Sequence, residues 1–284
     1  MEIINRRQRM FSISRKLRRG EKTVGFVATM GALHEGHLAL VKEARQRCDV
    51  VVVSIFVNPT QFNQKVDLDD YPRDLTADAA MLAEYEVDYV FAPEKHEIYP
   101  EGFSTYVNVE SLTDSLEGSS RPGHFRGVAT VVTILFNTVR PDFAFFGQKD
   151  AQQVAVIKRL AVDLGFETEI VVVATVREES GLAMSSRNEL LNNDERQKAA
   201  IIISALREAK LAFKKGERNA SDLAQIVKSR IQTEPSARVD YAAVVDRDSM
   251  QNVERIGDEE TLIVVAAHIG NVRLIDNVIL NRKQ

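Results

Sequence analysis

The sequence contains a single cysteine, Cys48, among its 284 residues. A lone cysteine excludes a disulfide within the chain and is typical of proteins from a reducing compartment. No stretch approaches the roughly 18 uninterrupted apolar residues that a membrane-spanning helix requires. The first residues include Glu2 and no apolar segment, so we do not expect a signal peptide. These absences argue against a secreted, disulfide-stabilised domain and against a membrane protein.

An excess of positive charge is also lacking, because the formal net charge is -4. This balance gives no global electrostatic footprint for nucleic acid. The one cationic run lies between Arg6 and Lys22, where basic residues alternate with apolar ones such as Phe11 and Leu17. The pattern predicts an amphipathic helix with a solvated charged side, and contact with RNA or a membrane is the alternative.

Apolar residues make up 44% of the chain, which is ample for a hydrophobic core. Through about residue 175, runs of strand length alternate with helical patterns, which predicts a Rossmann-like parallel α/β sheet. The predicted strands are Val24–Ala28, Val50–Val57, Val87–Ala92, Asp142–Phe146 and Glu169–Ala174. The predicted helices are Leu38–Arg47, Leu75–Glu84, Val128–Val139 and Ala151–Leu164.

From about residue 190 the pattern changes. It predicts a long amphipathic helix that ends near Gly216 and a second helix over Ser221–Ile231. Three strands follow, at Val239–Val245, Thr261–Ala267 and Val272–Ile279. We therefore predict a first domain over residues 1–175 and a smaller α+β domain over residues 176–284 that folds over it as a lid.

The most informative segment connects the first predicted strand to the next helix. It consists of Met30, Gly31, Ala32, Leu33, His34, Glu35, Gly36 and His37. The start of a helix attracts anions through its backbone N–H groups and its partial positive charge. The two glycines permit a sharp turn, and both imidazoles can donate hydrogen bonds to phosphate oxygens. The segment predicts a phosphate-binding turn in a protein of nucleotide chemistry.

Two simpler interpretations of this turn remain. It could be a plain strand-to-helix connection with two solvated histidines. It could also bind zinc, but a His-x-x-His pair without cysteine or carboxylate at ligand spacing leaves the coordination unfilled, so we predict no protein metal site.

Polar segments follow the other predicted strands. They are Asn58–Phe62, the run Gly147, Gln148, Lys149 and Asp150, and a loop with Val176, Met184, Ser185, Ser186 and Arg187. The carboxyl ends of parallel strands lie at one edge of a sheet, where ligands bind. We expect these segments to converge on one rim with the histidine turn, where Lys149 and Arg187 meet phosphate.

Two glutamines and one loop complete the set of candidates. Gln61 and Gln153 carry neutral amides that can orient a hydroxylated carboxylate without repelling it. The segment Ser120–Gly127 is rich in turn formers and cations, and it either binds an anion or packs against a partner subunit.

Taken together, these segments resemble the pantoate–β-alanine ligase (pantothenate synthetase) family of the HIGH-type nucleotidyltransferase superfamily, whose mark is a His-x-Gly-His-type turn. The resemblance runs nearly from end to end of the chain. Its motifs are Met30–His37, Val53–Pro59, Arg121–Phe125, Gly147–Asp150 with Gln152 and Gln153, Ser185–Asn188 and Arg273–Asn277.

The resemblance implies an ATP-dependent ligation in two steps, through a pantoyl adenylate, that releases AMP and pyrophosphate. It implies that His37 is the proton donor, with His34 and Lys149 also catalytic. Met30–His37, Gly147–Asp150, Val176 and Met184–Arg187 would bind ATP. Gln61 would contact pantoate and β-alanine, and Gln153 would contact pantoate. The resemblance further implies Mg²⁺ with ATP, a homodimer and a cytoplasmic location.

The chain departs from the family pattern at three positions. Ala28 replaces a usual proline, which we expect to loosen the end of the strand. Thr60 replaces a usual methionine and is expected to place a hydroxyl against an apolar patch beside pantoate. Gln148 replaces a usual glutamate and removes a negative charge near the nucleotide.

Two alternatives to the ligase remain open. A nucleotidyltransferase of the same superfamily would leave the nucleotide on its product and would need no amine. A non-catalytic nucleotide-binding module would result if Ala28 and Thr60 reflect decay of the substrate pocket. A role resembling a tRNA synthetase is the least favoured, because the chain lacks a basic accessory domain.

Overall fold

The computed structural model describes residues 1–63, 68–69 and 71–281. The chain divides into two compact units. The first comprises Met1–Gly147 and Val156–Val173, and the second comprises Gln148–Ala155 and Ala174–Gln284. The segment around Lys149 therefore groups with the C-terminal unit.

The first unit is built on a parallel sheet, as the alternating sequence pattern predicts. Six strands are described, in the order β1-β4-β3-β2-β5-β6. Their bounds are β1 Glu2–Ile4, β2 Val24–Thr29, β3 Val50–Ile55, β4 Tyr89–Phe91, β5 Phe143–Gly147 and β6 Glu169–Val173. Valine-rich runs such as β3 are buried along nearly their whole length, because helices cover both faces of such a sheet.

Helices connect these strands. Their bounds are α1 Arg7–Arg19, α2 Glu35–Arg47, α3 Leu75–Glu84, α4 Lys95–Ile98, α5 Glu117–Ser120 and α6 His124–Val139. Helix α7, Ala151–Asp163, begins in the second unit and continues in the first. Helix α1 confirms the predicted amphipathic helix, and its cations form ion pairs such as Arg18–Glu167. The predicted α/β class is confirmed.

The second unit contains a small antiparallel sheet, in the order β7-β8-β9. Its strands are β7 Ala237–Asp246, β8 Thr261–Ile269 and β9 Val272–Leu280, and its helices are α8 Asn193–Ala199, α9 Ile201–Lys214 and α10 Ala220–Ile231. The predicted strands of this region are confirmed. The prediction of a single long helix is wrong, because a turn at Ala200 separates α8 from α9.

Ala28 shows no break in its strand. It lies inside β2 and pairs with Ser54 of β3, and the next pair, Thr29 with Ile55, continues the ladder. The β2–β3 ladder thus continues past Ala28, and the expected loosening of the strand end stays a prediction. Because β2 and β3 run parallel and end side by side, the loops that follow them begin next to one another.

Candidate active site

The histidine turn joins β2 to α2, and His34 is the N-cap of that helix. Its Nδ1 accepts a hydrogen bond from the backbone N–H of Gly36 at 3.1 Å. His37 reaches back, and its Nδ1 accepts from the backbone N–H of His34 at 3.4 Å. This reciprocal cap brings the two ring centroids to 4.1 Å. The expectation that the two rings share one space is confirmed.

The hydrogen-bond geometry of these caps assigns a tautomer to each neutral ring. A nitrogen that accepts a hydrogen bond is unprotonated, so the proton of each neutral imidazole lies on Nε2. The pair therefore presents two Nε2–H groups side by side at the start of a helix. Such donors stabilise charge that develops on a phosphate leaving group.

A buried carboxylate that the sequence reasoning missed holds the turn. Asp78 of α3 is 3% exposed and accepts from the backbone N–H of Ala32 at 3.1 Å and of Leu33 at 2.9 Å. Gly31 has φ +83°, and a Cβ there would lie 2.8 Å from Asp78 Oδ2. The signal in the sequence is an aspartate on the helix face that also carries the buried Ala79 and Leu82.

The loop after β3 forms a second group of polar side chains in the first unit. Asn58 is 1% exposed, and its Nδ2 donates to Gln61 Oε1 at 3.0 Å. The Gln61 amide is thereby oriented with its Nε2 towards Met30 Sδ, at 2.7 Å. Met30 belongs to the histidine turn, so the structure brings the loops after β2 and β3 together, as predicted.

The Thr60 hydroxyl contacts polar groups, so the expected apolar surroundings are wrong. Its Oγ1 donates to Asn58 Oδ1 at 2.9 Å and lies 3.1 Å from Tyr99 Oη. Tyr99 also donates to Asn58 Oδ1, at 2.7 Å. Burial raises the pKa of Tyr99 to about 12, so its hydroxyl remains protonated at neutral pH. Two hydroxyls thus fix the orientation of the Asn58 amide.

The Ser120–Gly127 segment supports the same loop from within the chain. His124 Nδ1 donates to the backbone oxygen of Gln61 at 2.9 Å, and Arg121 lies 3.2 Å from the other ring nitrogen. Gly127 allows α6 to approach closely, because a Cβ there would lie 2.5 Å from the Thr60 oxygen. Arg121, His124 and Gly127 of this segment thus lie against the Gln61 loop, whereas Arg126 lies over the ring of Tyr106.

The second unit contains a cleft lined by apolar side chains and by polar ones, most of which are cations. Lys149, Ser185, Arg187 and Arg273 line it together with Asp276. The side chain of Lys149 is 16% exposed, and its Nζ lies 3.3 Å from Asp150 Oδ1. The structure thus brings Lys149 to the same cleft as Ser185 and Arg187, and the positive charge there suits a polyanion.

A short hairpin leads into the Ser185 loop. Arg177 pairs with Ala183 across an antiparallel bridge, and Met184 N–H donates to the Val176 oxygen at 2.9 Å. Ser185 then caps a 3-10 helix over Ser186–Leu190, and its Oγ accepts from Arg187 N–H at 3.3 Å.

Glu178, in the same hairpin, is held by Arg196 and Asn188, at 2.8 Å and 2.7 Å. The hydrogen bonds from Arg196, opposed by burial and aided by Asn188, lower the pKa of Glu178 below its usual value.

Two further observations concern metals and membranes. Among the described residues, no group of at least three His, Cys, Asp or Glu side chains is placed to hold a metal ion. Within that same part of the chain, no helix has the length and apolar character to cross a membrane.

The predicted site residues thus fall into two groups, one in each unit. Met30–His37 and Gln61 lie in the first unit. Gln148–Asp150, Val176, Met184–Arg187 and Gln153, in the first turn of α7, lie in the second. Gly147 is the last residue of β5 in the first unit.

The parallel sheet is followed at one strand by a His-x-Gly-His-type segment, His34-Glu35-Gly36-His37, at the start of a helix. This combination defines a Rossmann-like protein of the nucleotidyltransferase class. The family profile described as pantoate-beta-alanine ligase matches residues 2–279. The chain belongs to the pantoate–β-alanine ligase family.

Individual relatives agree over nearly their whole lengths. The chain is 52% identical over 268 residues to the pantothenate synthetase of Pelotomaculum thermopropionicum, covering 94% of this chain and 95% of the relative. It is 49% identical over 280 residues to the pantothenate synthetase of Thermosipho africanus, covering 99% and 100%.

Solved structures give the same result. The pantothenate synthetase of Thermus thermophilus is 42% identical, with a TM-score of 0.91 and coverage of 99% of this chain and 100% of that one. The pantoate–β-alanine ligase of Francisella tularensis, solved in complex with β-γ ATP and β-alanine, is 38% identical, with a TM-score of 0.81 and coverage of 98% and 97%.

Proposed function

We propose that this protein joins pantoate to β-alanine at the expense of ATP. In the first step a pantoate carboxylate oxygen attacks the α-phosphorus, and the bond from that phosphorus to the bridging oxygen of pyrophosphate breaks. In the second step the amine of β-alanine attacks the acyl carbon of the pantoyl adenylate. The acyl C–O bond breaks, AMP leaves, the amine loses a proton, and pantothenate is formed.

The observation that carries this proposal is the pair of imidazoles at the N-cap of α2. A carboxylate is a weak nucleophile towards a polyanion, so catalysis requires the two reactants to be positioned and the developing charge to be stabilised. The Nε2–H groups of His34 and His37 supply that stabilisation for the leaving pyrophosphate. A hydrogen bond from His37 suffices for this role, because pyrophosphate can leave as its magnesium complex.

We assign the nucleotide to residues of both groups. Met30–His37 form the turn that binds ATP. Within it, Gly31, Glu35 and Gly36 contribute backbone around the two histidines. Since the amides of Ala32 and Leu33 donate to Asp78, these residues act through the shape of the turn. Gly147–Asp150, Val176 and Met184–Arg187 also bind ATP, and Lys149 and Arg187 neutralise its phosphates.

We assign the binding of pantoate and β-alanine to the two glutamines, Gln61 and Gln153. Gln61 is 9% exposed, and Asn58 holds its Oε1, so its Nε2 is oriented as a donor for the pantoate oxygens and the β-alanine carboxylate. Gln153 provides a second contact to pantoate. The complex of the Francisella relative with β-alanine supports this choice of amine.

The remaining parts of the proposal concern the metal, the assembly and the location. ATP enters as its Mg²⁺ complex, so the metal is part of the substrate. We propose a homodimer in the cytoplasm. Light scattering tests the dimer directly, since it predicts a mass twice the 31.8 kDa of one chain.

Omitting each substrate in turn tests the function. AMP release should require ATP, Mg²⁺, pantoate and β-alanine together. Release of pyrophosphate without AMP, with the nucleotide left on a stable product in the absence of β-alanine, would favour the nucleotidyltransferase alternative. Binding of ATP without any turnover would favour the non-catalytic module.

A matched pair of variants tests the role of His37. Glutamine retains a side-chain donor, so His37→Gln should keep part of the single-turnover adenylation rate, whereas His37→Ala should lose far more. Equal losses in the two variants would reject the hydrogen-bond role.

A further inference from the structure

Two consecutive residues of β9, Asp276 and Asn277, anchor two separate segments that carry proposed phosphate-binding side chains. Both residues are 4% exposed. They are the last two residues of the Arg273–Asn277 motif, to which the proposed function assigns no role. All the contacts that follow lie within the second unit.

Asn277 fixes the segment that carries Lys149. Its Nδ2 donates to the backbone oxygens of Gln148 and Lys149, at 2.9 Å and 3.0 Å. Its Oδ1 accepts from Gln148 Nε2 at 2.9 Å. Both donor hydrogens and the acceptor oxygen of this amide are thereby used, so its orientation is fixed. The neutral Gln148 suits this arrangement, because a glutamate there would place a carboxylate against the Asn277 oxygen.

Asp276 fixes the hairpin that leads to Ser185 and Arg187. Its two carboxylate oxygens accept from the two terminal nitrogens of Arg177, at 2.7 Å and 3.0 Å. Arg177 also donates to the backbone oxygen of Gly181 at 3.0 Å, and it faces Ala183 across the bridge. A two-point guanidinium–carboxylate pair fixes direction as well as distance. The hairpin is therefore tied to the β9 residue beside Asn277.

We propose that Asp276 and Asn277 are positioning residues for the ATP phosphates. By anchoring both segments to adjacent residues of one strand, they set the spacing between Lys149 and the Ser185–Arg187 loop before the nucleotide arrives. This inference rests on the proposed function, in which those side chains bind ATP. A displacement of about 1 Å in such a group can reduce the rate by about 100-fold, which is why the anchor affects catalysis.

Asn277→Asp tests the first anchor with almost no change in shape. It replaces the donor Nδ2 by an oxygen that faces two backbone carbonyls. We expect the KM for ATP to rise at least tenfold in pantothenate synthesis, with the KM for β-alanine within twofold of wild type. Asn252→Asp is the matched control, because Asn252 is exposed in the same unit, and it should leave both constants unchanged.

Two further variants keep the test independent of folding. Gln148→Leu removes the side-chain amide, and with it the Nε2 donor to Asn277, from a partly exposed residue, and it should raise the KM for ATP two- to fivefold. Asp276→Asn weakens the Arg177 pair and should raise the KM for ATP in the same selective way. Urea unfolding of each variant, followed by circular dichroism, shows whether any loss of stability accompanies the effect.

The outcomes separate this inference from the proposed function. Wild-type protein that fails to release AMP with all substrates present would contradict the proposed function itself. Active wild-type protein with an unchanged KM for ATP in the folded variants would overturn the positioning role. An equal rise in the KM of all three substrates would also overturn it, because that pattern indicates general loosening.

Discussion

The Asp78 carboxylate gives the sharpest prediction about the first unit, because one buried group holds two amides of the histidine turn. Asp78→Asn keeps the size of the side chain but leaves one acceptor oxygen, and its new NH₂ group faces the second backbone N–H. Hydrogen bonds to charged groups contribute about 1.5–3 kcal/mol and those to neutral groups about 0.5–1.5 kcal/mol. Relief of the buried charge offsets part of the loss, so we expect about 2 kcal/mol of destabilisation.

The same substitution should also slow the chemistry. Gly31, Ala32 and Leu33 connect β2 to the His34 cap, so a shift of their backbone moves the imidazole donors. Misplacement of such groups is costly, and we expect adenylation to slow by at least ~10-fold. Pantoate-dependent exchange of pyrophosphate into ATP measures this step, and urea unfolding measures the stability.

Asp74→Asn is the matched control on the same helix. Asp74 is the exposed N-cap of α3, and its Oδ1 accepts from Ala77 N–H at 2.9 Å. Asparagine caps helices about as well as aspartate, so this variant should keep both its exchange rate and its stability. If Asp78→Asn exchanged pyrophosphate at the rate of Asp74→Asn, the carboxylate would not position the turn.

Three further predictions concern other parts of the molecule. Thr60→Val removes the hydroxyl that donates to the Asn58 amide, and it should raise the KM for pantoate about fivefold, equivalent to roughly 1 kcal/mol. Thr60→Ser keeps the hydroxyl and should leave this KM unchanged. Equal KM values for the two variants would contradict the role of the hydroxyl. The lowered pKa of Glu178 stabilises the fold above its ordinary pKa of 4.5, and this contribution is lost as pH falls through the folded-state value. The stability difference between wild type and Glu178→Gln, measured in urea, should thus be constant near pH 7 and shrink below about pH 4.5, and a difference independent of pH would refute the assignment. Burial, aided by the charge of Asp142, raises the pKa of Cys48 to about 11. Iodoacetamide at pH 8 should therefore label this thiol only when urea unfolds the protein. Rapid labelling of the native protein would show that the thiol is not buried.

The sequence predicted those elements whose pattern is long and periodic. β2, β3 and their neighbours are continuous apolar runs, and α3 matches its predicted bounds. Strand β1 has three residues, of which only Ile4 is buried, so no alternation distinguishes it from the helix that follows. The turn between α8 and α9 falls among good helix formers, and only packing decides it.

The candidate site shows the same limit. Local spacing predicted the pairing of His34 with His37, because an N-cap residue and the residue three positions later lie close together at the start of a helix. Asp78 and Asn277 could not be predicted in this way, since they act through backbone groups that lie far away in the sequence. The sequence offered one signal for such residues, namely a polar residue at a position where the helix or strand pattern requires an apolar one.

Isotope exchange between pyrophosphate and ATP tests the central claim most directly, because reversible formation of pantoyl adenylate makes this exchange depend on pantoate. The account predicts that purified protein with Mg²⁺, ATP, pantoate and labelled pyrophosphate forms labelled ATP in the absence of β-alanine, and that leaving out pantoate abolishes the exchange. No label in ATP with pantoate at saturation, or equal labelling without pantoate, would contradict the account.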